Sequence, residues 1–108
     1  MTAEEGAEDA LLKMLEDFKS EGRNYGAVLN NLGYFYMKNG NMDKAKEYFE
    51  RYCQNRPEGY NSHDSMGEYY FNNKDNENSL LHYQMALDNY PAASNARKMI
   101  AEITALMK

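Results

Sequence analysis

Leu32-Gly33-Tyr34-Phe35-Tyr36 and, 34 residues further on, Met66-Gly67-Glu68-Tyr69-Tyr70 are one pattern written twice. Aligned with itself at that shift, the chain pairs Gly33 with Gly67, Tyr36 with Tyr70, Asn39 with Asn73, Asn55 with Asn89 and Pro57 with Pro91. Similar residues fill the gaps: Leu32 with Met66, Ala45 with Ser79, Phe49 with Tyr83. Each unit runs in the same order: apolar-Gly-x-x-Tyr, a polar break, small-x-x-x-aromatic, then proline eight residues after the aromatic. A fixed period of this length marks a stacked array of supersecondary units.

Helical periodicity agrees. Within residues 24–38, Val28, Leu29, Leu32, Phe35 and Tyr36 recur at the spacing of one helix face. Gly33 falls mid-helix, where glycine costs up to about 1 kcal/mol relative to alanine. A paired helix approaching closely would justify that cost, and Gly67 repeats it in phase. Asn39-Gly40-Asn41 is turn chemistry, with Gly40 suited to positive φ and Asn41 placed to cap the next helix. Asn72-Asn73-Lys74-Asp75-Asn76 does the same job without glycine, asparagine being the residue expected to take the left-handed position. Pro57 and Pro91 each follow a helix they could not continue.

The pattern over residues 26–93 resembles the tetratricopeptide repeat family, whose 34-residue unit is a helix-turn-helix. The residues carrying the resemblance are Leu32, Gly33, Tyr36, Ala45, Phe49 and Pro57, then Met66, Gly67, Tyr70, Ser79, Tyr83 and Pro91. Two positions depart from it: Leu29 in one unit corresponds to His63 in the other, and Tyr52 stands where the family usually has alanine. The resemblance implies an all-α, right-handed superhelix of antiparallel helix pairs.

Both ends of such an array must be covered. Thr2-Ala3-Glu4-Glu5 reads as a capping box opening a helix whose apolar face is Ala7, Leu11, Leu15 and Phe18. In repeat phase Leu11 and Leu15 match Ala45 and Phe49, so this segment reads as half a repeat. Ser94 is placed to cap a last helix with the stripe Ala96, Met99, Ile100, Ile103, Leu106 and Met107, backed by Arg97, Lys98, Glu102 and Lys108. The expectation is six helices, at about 4–20, 25–39, 42–55, 60–73, 76–89 and 94–107, in one domain. That domain divides into a half-repeat (1–25), two repeats (26–59 and 60–93) and a capping helix (94–108).

Composition narrows the function. A formal net charge of −5 with scattered basic residues argues against nucleic acid, whose phosphates need a clustered basic surface. No apolar run approaches membrane-spanning length, and the acidic start lacks the basic and apolar regions of a secretory signal. A complete chain of this kind would be cytoplasmic. Cys53 is the single cysteine, so neither an intramolecular disulfide nor a metal site built on thiolates is expected, and it reads as a small buried hydrophobe.

Apparent catalytic motifs do not survive inspection. Ser62-His63-Asp64 spells a triad, but neighbours on a helix point about 100° apart and cannot form the relay. The Gly-x-Ser-x-Gly and Ser-x-x-Lys motifs are absent, as is a glycine-rich phosphate loop. His63 and His82 lie on different helices and are read as having no cysteine partner. Neither enzyme activity, metal nor cofactor is expected.

In the resembled family the first helix of each unit lines a concave surface for a peptide or a partner's helix. By phase the lining positions are Ala27, Asn30, Tyr34 and Met37, then Asn61, Asp64, Glu68 and Phe71, with Asn95, Lys98 and Glu102 available from the last helix. Amides, two carboxylates and aromatics suit a backbone, a basic side chain and an apolar anchor, so a basic-apolar protein segment is the expected partner. Members that clamp the C-terminal carboxylate of chaperones want Lys, Asn or Arg where Asn30, Tyr34 and Asp64 stand, so that subclass is not expected. The alternative is an array that only packs on a neighbouring domain. Asn30-Asn31-Leu32-Gly33-Tyr34, residues 63–70 and Asn95-Ala96-Arg97 resemble repeat extensions C-terminal to bacterial β-lactamase-like and esterase-like serine hydrolases. That resemblance implies an accessory domain whose catalytic partner lies outside this sequence.

Overall fold

A computed structural model describes residues 3–108, with side chains from residue 6 onward. The described residues form six α-helices and no strand: α1 (Ala3–Ser20), α2 (Gly26–Lys38), α3 (Met42–Asn55), α4 (Tyr60–Asn72), α5 (Asn76–Asn89) and α6 (Ser94–Leu106). Each expected boundary falls within one residue of these. The side chains of the capping box at Thr2-Ala3-Glu4-Glu5 lie outside the described residues. No described helix is long and apolar enough to cross a membrane. Two compact units are present, Met1–Tyr52 and Cys53–Lys108.

In the first unit, α2 lies against α3 through Gly33. The ring of Phe49, fully buried, sits so close that a β-carbon at Gly33 would meet it at 2.6 Å. Tyr34 meets the same ring edge-on at 5.0 Å, and Tyr36 stacks on Tyr48 at 5.5 Å. The Tyr36 hydroxyl donates to Glu8 Oε2 at 2.6 Å, tying α1 to α2. That hydroxyl's pKa is pushed well above the ordinary tyrosine value, by burial first and then by Glu8. Leu15 is buried as its repeat phase requires, but Ala7 is exposed. Each four-residue step rotates a side chain by about 40° around the helix, so two steps carry Ala7 off the face that Leu15 occupies.

The second unit repeats this joint with different atoms. A β-carbon at Gly67 would lie 2.9 Å from the Tyr83 ring, and Ser79, fully buried where the first unit has Ala45, donates its hydroxyl to Gly67 O at 2.7 Å. Tyr83, Ala86, Ala93, Ala96 and Ile103 form the core of this unit, flanked by Phe71, Leu80, Leu87, Met99 and Ile100. The core extends along α6 only to Ile103, which leaves Leu106 and Met107 exposed although the stripe includes them. Tyr70, expected inside the stack, is half-buried where Tyr36 is buried, and it stacks on His82 as Tyr36 stacks on Tyr48.

Turn chemistry is shared by both units. Gly40 (φ 82°) donates its backbone N–H to Met37 O, and Asn41 donates to Tyr36 O. Lys74 (φ 62°) donates to Phe71 O, and Asp75 to Tyr70 O. Both are Schellman C-caps. The left-handed residue in the second is Lys74, not an asparagine, since the position is set by distance from the helix end rather than by the best available side chain. The asparagines have another role: Asn39 and Asn73 each donate a side-chain amide to the carbonyl four residues back, Phe35 O at 2.8 Å and Tyr69 O at 2.9 Å. Asn41 and Asp75 cap the next helices through the backbone N–H groups of Lys44 and Asn78. Ser94, by contrast, is already helical; the N-cap of α6 is Ala93, with no side-chain cap bond.

Candidate functional site

The residues expected to face a ligand fall on α2 in one unit and on α4 in the other. On α2, Ala27 is exposed while Asn30, Tyr34 and Met37 are half-buried. Tyr34 is committed in part to Phe49, and Asn30 Oδ1 is enclosed without a hydrogen-bond partner, so that end of the amide faces the protein. On α4, Asn61 is exposed, whereas Asp64, Glu68 and Phe71 are half-buried. Glu68 and Phe71 line a cleft of about 300 Å³ with Asn72, Tyr83, Asn95 and Met99. Asn95 Nδ2 donates to both carboxylate oxygens of Asp64, each at 3.0 Å, linking α6 to α4. Burial raises the pKa of Asp64, the bond from Asn95 lowers it, and nearby Glu68 raises it again. The net result is a carboxylate that holds its proton more tightly than a solvated one.

Ser62, His63 and Asp64 point to three different places. Ser62 Oγ is buried and bonds Arg56 O at 2.7 Å and Gly59 O at 3.0 Å, closing the loop that leads into α4. His63 turns toward Pro57 and α5, and Asp64 toward α6. Ser62 therefore has no contact with the imidazole that a relay would require.

His63 does have partners that the reading of the sequence missed. Its Nδ1 lies 3.9 Å from Cys53 Sγ and 3.3 Å from His82 Nδ1, and ligand atoms of the three residues all fall within 4.8 Å of one another. The expectation that the histidines lack a cysteine partner is overturned. It failed because residues 10 and 19 positions away are brought to His63 only by helix pairing. His63 Nε2 lies 3.0 Å from Pro57 O, and since a carbonyl only accepts, this nitrogen carries the proton and Nδ1 presents its lone pair. His82 is held neutral, its pKa lowered to about 4 by burial and then by the neighbouring His63.

The repeat register supplies a signal that could have found this group. His63 and His82 correspond to Leu29 and Tyr48 in the first repeat, both buried. Arg97, one further repeat on from His63, donates to Pro91 O at 2.7 Å, just as His63 donates to Pro57 O. Anchoring the proline carbonyl is thus a repeated role, whereas the Nδ1 face of His63 is peculiar to the second unit.

The family model for the tetratricopeptide repeat matches residues 27–58, which span α2, the turn at Gly40 and α3. No curated protein matches the chain, so the resemblance to hydrolase extensions rests on its three short segments alone. The glycine-aromatic joint between first and second helices, present in both units, is what the repeat pattern encodes. The described residues are all-α, and residues 27–58 are a tetratricopeptide repeat.

Proposed function

We propose that this protein is a non-catalytic interaction module that holds a segment of another protein against the first-helix faces of its repeats. The observation that carries the reading is the cleft that Glu68 and Phe71 of α4 line together with Asn95 of α6. Such a set offers an anion for a Lys or Arg, an apolar wall for a neighbouring side chain and an amide for the backbone. Asp64 adds negative charge one turn before Glu68, although part of its capacity is spent on Asn95. On α2, Tyr34 and Met37 supply half-buried apolar surface of the same kind. The preferred partner is a basic-apolar segment, and an acidic C-terminus is repelled.

A peptide-array screen of the native chain beside a Glu68→Lys variant tests this. The native protein is expected to select peptides with a Lys or Arg next to an apolar residue, with affinity falling as salt rises. The variant is expected to lose them. Identical selections by the two proteins, or a native preference for acidic ends, would overturn the assignment.

A further inference from the structure

We propose that Cys53, His63 and His82 form a binding site for a transition-metal ion of the zinc class, using the thiolate sulfur and the two Nδ1 atoms. Zinc holds nitrogen at about 2.0–2.1 Å and thiolate sulfur at about 2.3 Å in a tetrahedron, so its nitrogens stand about 3.3 Å apart and nitrogen and sulfur about 3.6 Å. The two Nδ1 atoms are already at 3.3 Å, and Cys53 Sγ lies 3.9 Å from the nearer one. The three ligand atoms all fall within 4.8 Å of one another, so the remaining sulfur–nitrogen pair closes by up to about 1.2 Å, a movement that side-chain rotation of Cys53 and His82 supplies. A thiolate with two imidazoles favours zinc over magnesium or calcium, which take oxygen.

Support for the first ligand is already built. The Pro57 carbonyl receives the Nε2 proton of His63 at 3.0 Å and the Asn89 amide at 3.3 Å. That fixes the ring's tautomer and orientation, the role a carbonyl commonly plays behind a metal-bound histidine. Without metal, His63 Nδ1 accepts a hydrogen bond from His82 Nδ1–H, and the Cys53 thiol donates to Ser62 O at 3.3 Å. Binding releases the thiol proton to solvent and moves the His82 proton from Nδ1 to Nε2, so one proton leaves and two lone pairs plus a thiolate face the ion. Three protein ligands leave a fourth position for water or an incoming donor.

Packing alone does not call for this choice of side chains. The matched positions in the first repeat are Leu29 and Tyr48, 1% and 8% exposed, so the fold accepts apolar residues at both. The exchange to two histidines occurs beside the chain's single cysteine.

The test is equilibrium dialysis of the full chain against zinc, with bound metal measured by atomic emission and thermal unfolding followed with and without zinc. One zinc per chain and a raised midpoint are expected. Cobalt in place of zinc should give thiolate-to-metal absorption in the near ultraviolet. His82→Tyr, which installs the side chain found at Tyr48, and Cys53→Ala are each expected to weaken uptake about a hundredfold or more and abolish the zinc-dependent shift. Circular dichroism verifies that both variants keep their helices, and if either unfolds, the cobalt absorption of the native chain decides alone. No stoichiometric uptake, no thiolate absorption, or uptake unchanged in either folded variant would overturn the site.

Discussion

A β-carbon placed on Gly33 would stand 2.6 Å from the ring of Phe49, a contact that no relaxed core contains. The second unit repeats the relationship between Gly67 and Tyr83 at 2.9 Å. Glycine is thus required at these two mid-helix positions by the ring that fills the space, and the local helix penalty is outweighed by the closeness of the paired helices.

Gly33→Ala is therefore expected to destabilise the protein although alanine is the better helix former. Overpacking costs about 1–3 kcal/mol, against a propensity gain of about 1 kcal/mol. Gly67→Ala should cost less, since its approach is longer. Urea unfolding of both variants gives the ranking. A stabilised Gly33→Ala would show that Phe49 can move aside.

Lys74→Gly should stabilise. Lys74 sits at φ 62°, a left-handed conformation that costs a side-chain-bearing residue about 1 kcal/mol and glycine nothing. Gly40 already has the cheaper solution at the matched position, with φ 82°. Gly40→Lys should lose about what Lys74→Gly gains. Thermal midpoints of the two variants moving in the same direction would contradict the shared C-cap geometry.

Asp64 should titrate above an ordinary aspartate in an NMR pH titration of its carboxyl group. Burial raises its pKa from 3.8 and Asn95 pulls it back, so Asn95→Ala is expected to raise the midpoint further and Glu68→Gln to lower it. The folded state holds this proton more tightly than the unfolded one. The group's contribution to stability is thus greatest below the unfolded pKa and declines as pH rises through the window up to the folded value. A midpoint lowered by Asn95→Ala would mean that the hydrogen bond is not what holds the charge.

Helix positions and turns were legible because their causes are local. The spacing of Val28, Leu32 and Tyr36, the Gly40 turn and the caps at Asn41 and Asp75 act over one or two helical turns, and the 34-residue register doubles each signal. That Asp64 and Glu68 share a face of α4 was legible for the same reason: they are four residues apart on one helix, whatever packs against it. Their engagement was not, since the Asn95 amide reaches Asp64 from 31 residues away.

What the amino-acid order determined by itself is the set of six helices, the paired glycines and the apolar stripes, all consequences of backbone geometry and periodicity. Tertiary structure decided which parts of the stripes are buried: Ile103 is enclosed while Leu106 and Met107, on the same stripe, are not. It also decided that Cys53, His63 and His82 meet. Their spacings of 10 and 19 residues correspond to no face of any single helix, and only the folding of α5 back along α4 places two imidazoles within 3.3 Å of each other.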